Sequence, residues 1–135
     1  MSFIEWRSEF SVGVQEIDTQ HRRLLDIINQ MHEAMKMGGK AGAVTEVIND
    51  LIGYTRYHFA YEEKLLEGTG YPELEEHRRK HRAMVAQVEA FRSQAKTGSA
   101  AVSLKLMGFL KDWLTRHILE TDKRYSAHLT GYRAA

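Results

Sequence analysis

Apolar residues recur at steps of three and four along most of this chain, and polar residues occupy the positions between them. This spacing is typical of amphipathic helices, and it predicts four of them. The first helix begins near Asp18, a good N-cap residue, and runs to Gly38-Gly39, while the second runs from about Ala43 to Glu67. The third opens at Pro72, because a proline fits the first turn of a helix, and the fourth follows Thr97-Gly98-Ser99.

The apolar stripes of these helices identify the candidate core. Its predicted members are Leu24, Leu25, Ile28, Met31, Met35, Val47, Leu51, Tyr54, Leu74, Met84, Val88, Phe91, Val102, Leu106, either Phe109 or Leu110, Trp113, Leu114 and Ile118. Only a few residues connect one helix to the next, which favours antiparallel neighbours. The sequence therefore predicts an all-α fold, an antiparallel up-down-up-down four-helix bundle.

The first 17 residues do not continue this helical spacing. Their apolar side chains alternate loosely around Gly13, at Phe10, Val12, Val14 and Ile17. We expect an extended N-terminal arm packed along the bundle. At the other end of the chain, the pattern leaves either a short helix or a tail open for residues 125–135.

Composition narrows the class of protein. At 135 residues, 43% of them hydrophobic and 27% charged, the chain fits a single domain, residues 1–135. With a formal net charge of +1, the chain has no overall positive potential that would attract nucleic acid. The absence of cysteine excludes disulfides and thiolate ligands. The N-terminus does not resemble a signal peptide, and no apolar run approaches the roughly 18 residues of a membrane span. We expect a cytoplasmic protein with no membrane span and no nucleic-acid partner.

Seven side chains of the kinds that bind metals interrupt the apolar stripes. They are His21, His58, Glu62, His77, His81, His117 and Asp122. His58 and Glu62 are four residues apart, as are His77 and His81, so each pair lies on one helix face, one turn apart. In an antiparallel bundle, the start of the first and third helices lies at the same end as the close of the second and fourth. The predicted topology therefore brings all these side chains to one end.

A single His-x3-His pair is weak evidence for a metal site, because such pairs also arise by chance on helix surfaces. This set, however, contains five of the seven histidines in the chain, and a buried imidazole without a partner costs on the order of 1 to 3 kcal/mol. Metal binding would satisfy them together, and seven ligands suit two ions rather than one. Imidazoles and carboxylates without a thiolate favour iron and leave manganese, zinc and cobalt open, whereas calcium and magnesium prefer oxygen.

These residues resemble those of the bacterial hemerythrins, a family of non-haem di-iron proteins that bind oxygen. The resemblance covers nearly the whole chain. It extends from Trp6 through His21, His58-Phe-Ala-Tyr-Glu62, His77-Arg-Arg-Lys-His81 and His117-Ile-Leu-Glu-Thr-Asp122.

The resemblance implies a centre of two iron ions, as Fe2+ or Fe3+, with an oxo or hydroxo bridge. One iron would be held by His77, His81 and His117, the other by His21 and His58, and both would be bridged by Glu62 and Asp122. Dioxygen would bind at an open position of the second iron. The same resemblance implies an apolar oxygen pocket among the residues that flank the ligands, namely Phe59, Trp113, Leu114 and Ile118.

Asp122 is the one member of the set that does not follow helical spacing. It comes five residues after His117, about 140° away around an ideal helix, whereas Glu120 is nearer the same face. Spacing alone favours Glu120, and the family pattern favours Asp122. We expect Asp122, brought inward by a local widening or an end of the helix. The two remaining histidines, His32 and His128, are interpreted as ordinary polar or partly buried residues.

The leading functional hypothesis is reversible dioxygen binding for storage, delivery or buffering, in a protein that is not an enzyme. A di-iron oxidase, or a protein that handles peroxide or nitric oxide, is the alternative from the enzyme class. A sensor of oxygen or iron is a third. The expected partners are dioxygen and an unidentified oxygen-using protein, and the chain is expected to be a monomer.

Overall fold

The structure, a computed structural model, describes residues 4–36, 41–95 and 100–134 of the chain. These residues form a nearly all-helical protein, in which no strand occurs within the described ranges. The helices are α1 (Gln15–Lys36), α2 (Ala41–Gly68), α3 (Leu74–Ala95), α4 (Ala100–Arg116) and α5 (Lys123–Ala134), with a π-helix (His117–Asp122) that joins α4 to α5. A short 3-10 helix, Ser8–Phe10, lies in the N-terminal arm.

Helices α1 to α4 form the predicted four-helix bundle. Each helix packs against the next one in the chain, and α4 closes the bundle by packing against α1. The predicted stripes face inward: most members are buried, and Met35, Val47, Tyr54, Leu74 and Trp113 are half-buried. At the ambiguous position in α4, Leu110 is buried and Phe109 is half-buried. The side chain of Val102 and the predicted connections Gly38-Gly39 and Thr97-Gly98-Ser99 lie outside the described residues.

The predicted start of the first helix is wrong by three residues, because α1 begins at Gln15. The backbone N–H of Asp18 already donates a helical hydrogen bond to Val14 O, 2.9 Å away. The Asp18 carboxylate instead accepts hydrogen bonds from the backbone N–H of Val12, at 2.9 Å, and from the Ser11 hydroxyl. Asp18 therefore fastens the arm to the first turn of α1 rather than capping the helix.

The third helix begins two residues later than predicted, at Leu74, and Pro72 lies in the turn before it. The predicted end of the second helix is confirmed. Gly70 follows α2 with a φ of 70°, a left-handed conformation that glycine adopts without steric penalty. The next N–H, that of Tyr71, then bonds back to Leu66 O at 3.0 Å, which is the usual way to satisfy carbonyls at a helix end.

The extended arm is confirmed. It contributes to a second, smaller hydrophobic core, separate from the main core of the bundle and called the lower core here. This lower core contains residues from the arm, the start of α1, the end of α2 and the turn after it, and α5. Its buried members are Val12, Val14, Ile17, Leu66, Tyr71, Tyr125 and Leu129. Residues 125–134 thus continue a helix rather than forming a tail. No described helix has the length and apolar character needed to cross a membrane.

Candidate metal centre

The bundle brings the seven predicted side chains together at one end. His21 lies near the start of α1, and His77 and His81 lie near the start of α3. His58 and Glu62 lie in the second half of α2, while the π-helix begins at His117 and ends at Asp122. All seven are buried, with exposed fractions from 0% to 6%. Charged or polar groups at such depth require partners.

The π-helix explains how Asp122 joins this cluster. The backbone N–H of Lys123 bonds to Ile118 O, five residues earlier, instead of four as in an α-helix. This widening brings the residue five positions after His117 back to the interior, so Asp122 is fully buried and Glu120 is exposed. The expected local widening is confirmed, and the simple α-helical spacing that favoured Glu120 is wrong here.

The side chains form two groups. Within each group, the possible ligand atoms all lie within 4.8 Å of one another. The three-histidine group contains His77, His81 and His117 together with both carboxylates. The two-histidine group contains His21, His58 and Glu62. The structure therefore separates the histidines into the same two sets that the resemblance implied.

Each oxygen of Glu62 faces a different group. Oε2 lies 3.2 Å from His58 Nε2 and 3.7 Å from His21 Nε2. Oε1 lies 3.2 Å from His81 Nε2 and also contacts His77 Nε2. A carboxylate in this position can bridge two metal ions.

The two oxygens of Asp122 also face different groups. Oδ1 lies 3.0 Å from His117 Nε2 and 3.3 Å from His77 Nε2, in the three-histidine group. Oδ2 lies 3.1 Å from His21 Nε2. Two carboxylates thus span the gap between the groups.

The orientation of these atoms fits metal ions better than a network of hydrogen bonds. Among the described residues, His21 Nε2 and both oxygens of Asp122 are buried without a hydrogen bond of good geometry, although Asp122 Oδ2 lies only 3.1 Å from His21 Nε2. Such atoms normally find a partner, and each one left without costs on the order of 1 to 3 kcal/mol. Imidazole and carboxylate donors converging on shared points are what iron, manganese or zinc require.

Three residues outside the predicted set contact the candidate ligands. Gln20 Oε1 lies 2.7 Å from His58 Nδ1, and Glu63 Oε2 lies 2.8 Å from His81 Nδ1. The buried Tyr125 hydroxyl donates a hydrogen bond of 2.9 Å to Glu62 Oε2. None of the three is among the residues predicted from the sequence. Gln20 and Glu63 each adjoin a candidate ligand in the chain, but that signal does not reveal which ligand they contact.

The carboxylates change the protonation of two histidines in the metal-free cluster. Burial opposes a charge on His21, but the neighbouring carboxylates of Asp122 and Glu62 outweigh it and raise the pKa to about 9. Burial opposes a charge on His81 too, and the carboxylates of Glu62 and Glu63 raise its pKa to about 9. Both rings therefore carry a proton at neutral pH when no metal is bound.

The remaining shifts follow from burial and from the same pairs. Burial lowers the pKa of His58 and of His117, despite the nearby carboxylates. Burial opposes ionisation of Glu62 and Asp122, but the surrounding histidines hold both pKa values well below their ordinary range. Both carboxylates are therefore ionised at neutral pH.

In the metal-free protein, we expect His21 and His81 to lose their protons near pH 9 and His58 and His117 to lose theirs below pH 6.5. A raised pKa means that the proton competes with a metal ion up to the higher pH, so metal affinity should increase until about pH 9. A pH titration of the imidazole 15N signals by NMR measures both pairs. Four histidines titrating together near pH 6.5 would contradict the charge distribution described above.

Aromatic and aliphatic side chains surround the cluster. Phe59 stacks on His81 with ring centroids 3.7 Å apart, and Trp113 stacks on His117 at 4.3 Å. Leu114 and Ile118 are buried. These four residues thus lie beside or close in sequence to candidate ligands, as expected for a pocket. Trp113 also borders an open cleft of about 390 Å³ that reaches His117.

The other histidines lie apart from the two groups. His32 and His128 are half-buried, and neither belongs to either group of candidate ligands. His128 Nε2 lies 3.0 Å from Thr69 O, beyond the end of α2.

Comparison with known proteins agrees with this geometry. The family model of the hemerythrin HHE cation binding domain matches residues 12–129. A bacteriohemerythrin of Stenotrophomonas maltophilia is 35% identical, over 98% of this chain and 88% of that protein. The myohemerythrin of Riftia pachyptila is 29% identical, over 92% of each. The crystal structure of a wild-type hemerythrin superposes with a TM-score of 0.86 at 28% identity, covering 96% of this chain and 99% of the other.

Fold and site define a four-helix-bundle protein with a buried histidine and carboxylate cluster able to hold metal ions. The match over most of the chain makes the assignment specific: this chain belongs to the hemerythrin family.

Proposed function

We propose that the chain holds two iron ions, one for each group of histidines. His77, His81 and His117 would hold the first ion, and His21 and His58 would hold the second. Glu62 and Asp122 would bridge them, together with an oxo or hydroxo group. The observation that supports this most directly is the division of each carboxylate, whose two oxygens face different groups. The two-histidine position has fewer protein ligands and would keep one position open.

We further propose that this centre binds dioxygen reversibly and that the protein stores, delivers or buffers oxygen rather than acting as an enzyme. The iron ions would supply the electrons that hold dioxygen. The protein would supply a largely apolar pocket, since Phe59, Leu114 and Ile118 are at most 4% exposed and only Trp113, of the four predicted pocket residues, is half-buried. Excluding water discourages the separation of charge that would turn bound dioxygen into free superoxide or peroxide.

Other properties inferred from the sequence stay predictions. They are a single domain over residues 1–135, a monomer, a location in the cytoplasm, and a partner protein that uses oxygen. The oxidase, the peroxide- or nitric-oxide-handling protein and the sensor remain the alternatives that the experiment below must separate from reversible binding.

The test is an anaerobic oxygen titration of the iron-loaded, reduced protein, combined with metal analysis. We expect two iron ions per chain, one for each group, and an absorption band that forms with oxygen and disappears when oxygen is removed. One ion per chain would overturn the proposed centre. Irreversible bleaching on first exposure, or multiple turnovers with a reductant, would favour the oxidase.

A further inference from the structure

The two groups of histidines differ in what their outer ring nitrogens contact. In the three-histidine group, His81 Nδ1 lies 2.8 Å from a carboxylate oxygen of Glu63. In the two-histidine group, His58 Nδ1 lies 2.7 Å from the amide oxygen of Gln20. The other histidine of that group, His21, has a buried Nδ1 with no hydrogen-bond partner in the described part of the chain. An acidic acceptor therefore faces the first group, and a neutral acceptor faces the second.

A charged contact holds Glu63 in place, and burial restricts Gln20. Arg78 Nε lies 3.4 Å from Glu63 Oε1, and the same guanidinium binds Glu67 at 2.9 Å and Glu75 at 2.5 Å. Glu63 is about one-quarter exposed, so its carboxylate is only partly screened by water. Gln20 is 7% exposed and lies within the bundle. Neither acceptor is a loosely placed surface group.

The acceptor on Nδ1 controls how strongly a histidine binds metal through Nε2. Once Nε2 binds an ion, the ring proton must be on Nδ1, which then donates a hydrogen bond outward. A carboxylate acceptor makes Nε2 of the imidazole a stronger electron-pair donor to the metal ion than an amide acceptor does. The reason is that the negative charge of the carboxylate favours partial transfer of the Nδ1 proton to it. An imidazole that donates its electron pair more strongly binds a metal ion more tightly and favours the more highly charged oxidation state of that ion.

We propose that Glu63 and Gln20 are positioning residues that make the two metal positions unequal. Through His81, Glu63 strengthens the three-histidine position and favours Fe3+ there. Through His58, the neutral Gln20 leaves the two-histidine position weaker and easier to keep as Fe2+. This inference rests on the two-ion centre proposed above.

Two reciprocal variants test the inference. Glu63→Gln removes the charge but keeps the side-chain size and an acceptor, and Gln20→Glu makes the opposite change beside His58. The metal-free full-length chain is titrated anaerobically with Fe2+ by calorimetry and by competition with a chelator. We expect Glu63→Gln to weaken the tighter of two binding steps about 10- to 100-fold, and Gln20→Glu to strengthen the weaker step.

A second readout would not respond to a merely structural role. Spectroelectrochemical titration of the iron-loaded protein should give a higher reduction potential for Glu63→Gln and a lower one for Gln20→Glu. Glu67→Gln is the matched control, since Glu67 is 68% exposed and belongs to neither group of candidate ligands, and without it Arg78 keeps its contacts with Glu63 and Glu75. It should leave both affinities and the potential unchanged.

The inference is overturned if Glu63→Gln leaves affinities and potential unchanged, if both substitutions shift the potential in the same direction, or if Glu67→Gln has the same effect as Glu63→Gln. These outcomes differ from failure of the proposed function. That failure would be seen in the wild-type chain itself, as the binding of fewer than two ions.

Discussion

Asp122→Ala is expected to abolish the proposed two-iron centre. The substitution removes both oxygens that link His21 to His77 and His117, and it leaves those imidazoles buried with one carboxylate fewer. Breaking a buried charged network by removing one member is strongly destabilising, by roughly 3 to 5 kcal/mol. Metal analysis after iron loading should find at most one ion per chain, and the oxygen-dependent absorption band should be absent.

Glu120→Ala is the matched control for this experiment. Glu120 lies in the same π-helix and carries the same charge, but its side chain is exposed. Its removal should leave iron content and the absorption band unchanged. If Glu120→Ala lost the centre while Asp122→Ala kept it, the conclusion that the π-helix turns Asp122 toward the metal ions would be wrong.

Leu114→Ala is expected to retain iron but to accelerate the decay of the oxygenated protein to the ferric form. Leu114 is buried and lies three residues before His117, on the ligand face of α4. Truncation would open the proposed oxygen pocket to water, which stabilises separated charge and so favours loss of oxygen as superoxide or peroxide. A packing loss of about 2 to 5 kcal/mol accompanies the change. The decay rate at fixed pH and temperature measures the effect.

Leu106→Ala separates the pocket effect from the packing loss. Leu106 is equally buried in α4, but it precedes His117 by 11 residues, roughly 16 Å along the helix axis. The same truncation there should lower stability without changing the decay rate. A Leu114→Ala decay no faster than that of Leu106→Ala would show that Leu114 is simply part of the core, and that the pocket lies nearer Phe59 or Ile118.

The sequence alone was sufficient to predict the bundle and the convergence of its candidate ligands. Steps of three and four place His77, His81, Met84 and Val88 on one stripe, and all four are buried as predicted. Short connections require antiparallel neighbours, which brings the ligand-bearing turns of four helices to one end. Both inferences rest on local geometry that repeats along a helix, so they need no knowledge of tertiary contacts.

Tertiary structure decided the features that depend on partners distant in the chain. The carboxylate of Asp18 fastens the arm because Ser11 and Val12 fold back onto α1, although the residue itself is a good helix cap. Tyr125 reaches Glu62 across 63 residues, because α5 packs into the lower core beneath the cluster.

The same holds for the inward turn of Asp122. An ideal α-helix would point this residue away from His117, and only the change to a five-residue hydrogen bond, from Lys123 to Ile118, returns it to the cluster. Helical periodicity is a property of each segment by itself, whereas a local departure from it is stabilised by the groups that the rest of the fold supplies. Here those groups are the buried imidazoles of α1 and α3, His21 and His77, which lie within 3.3 Å of the Asp122 carboxylate.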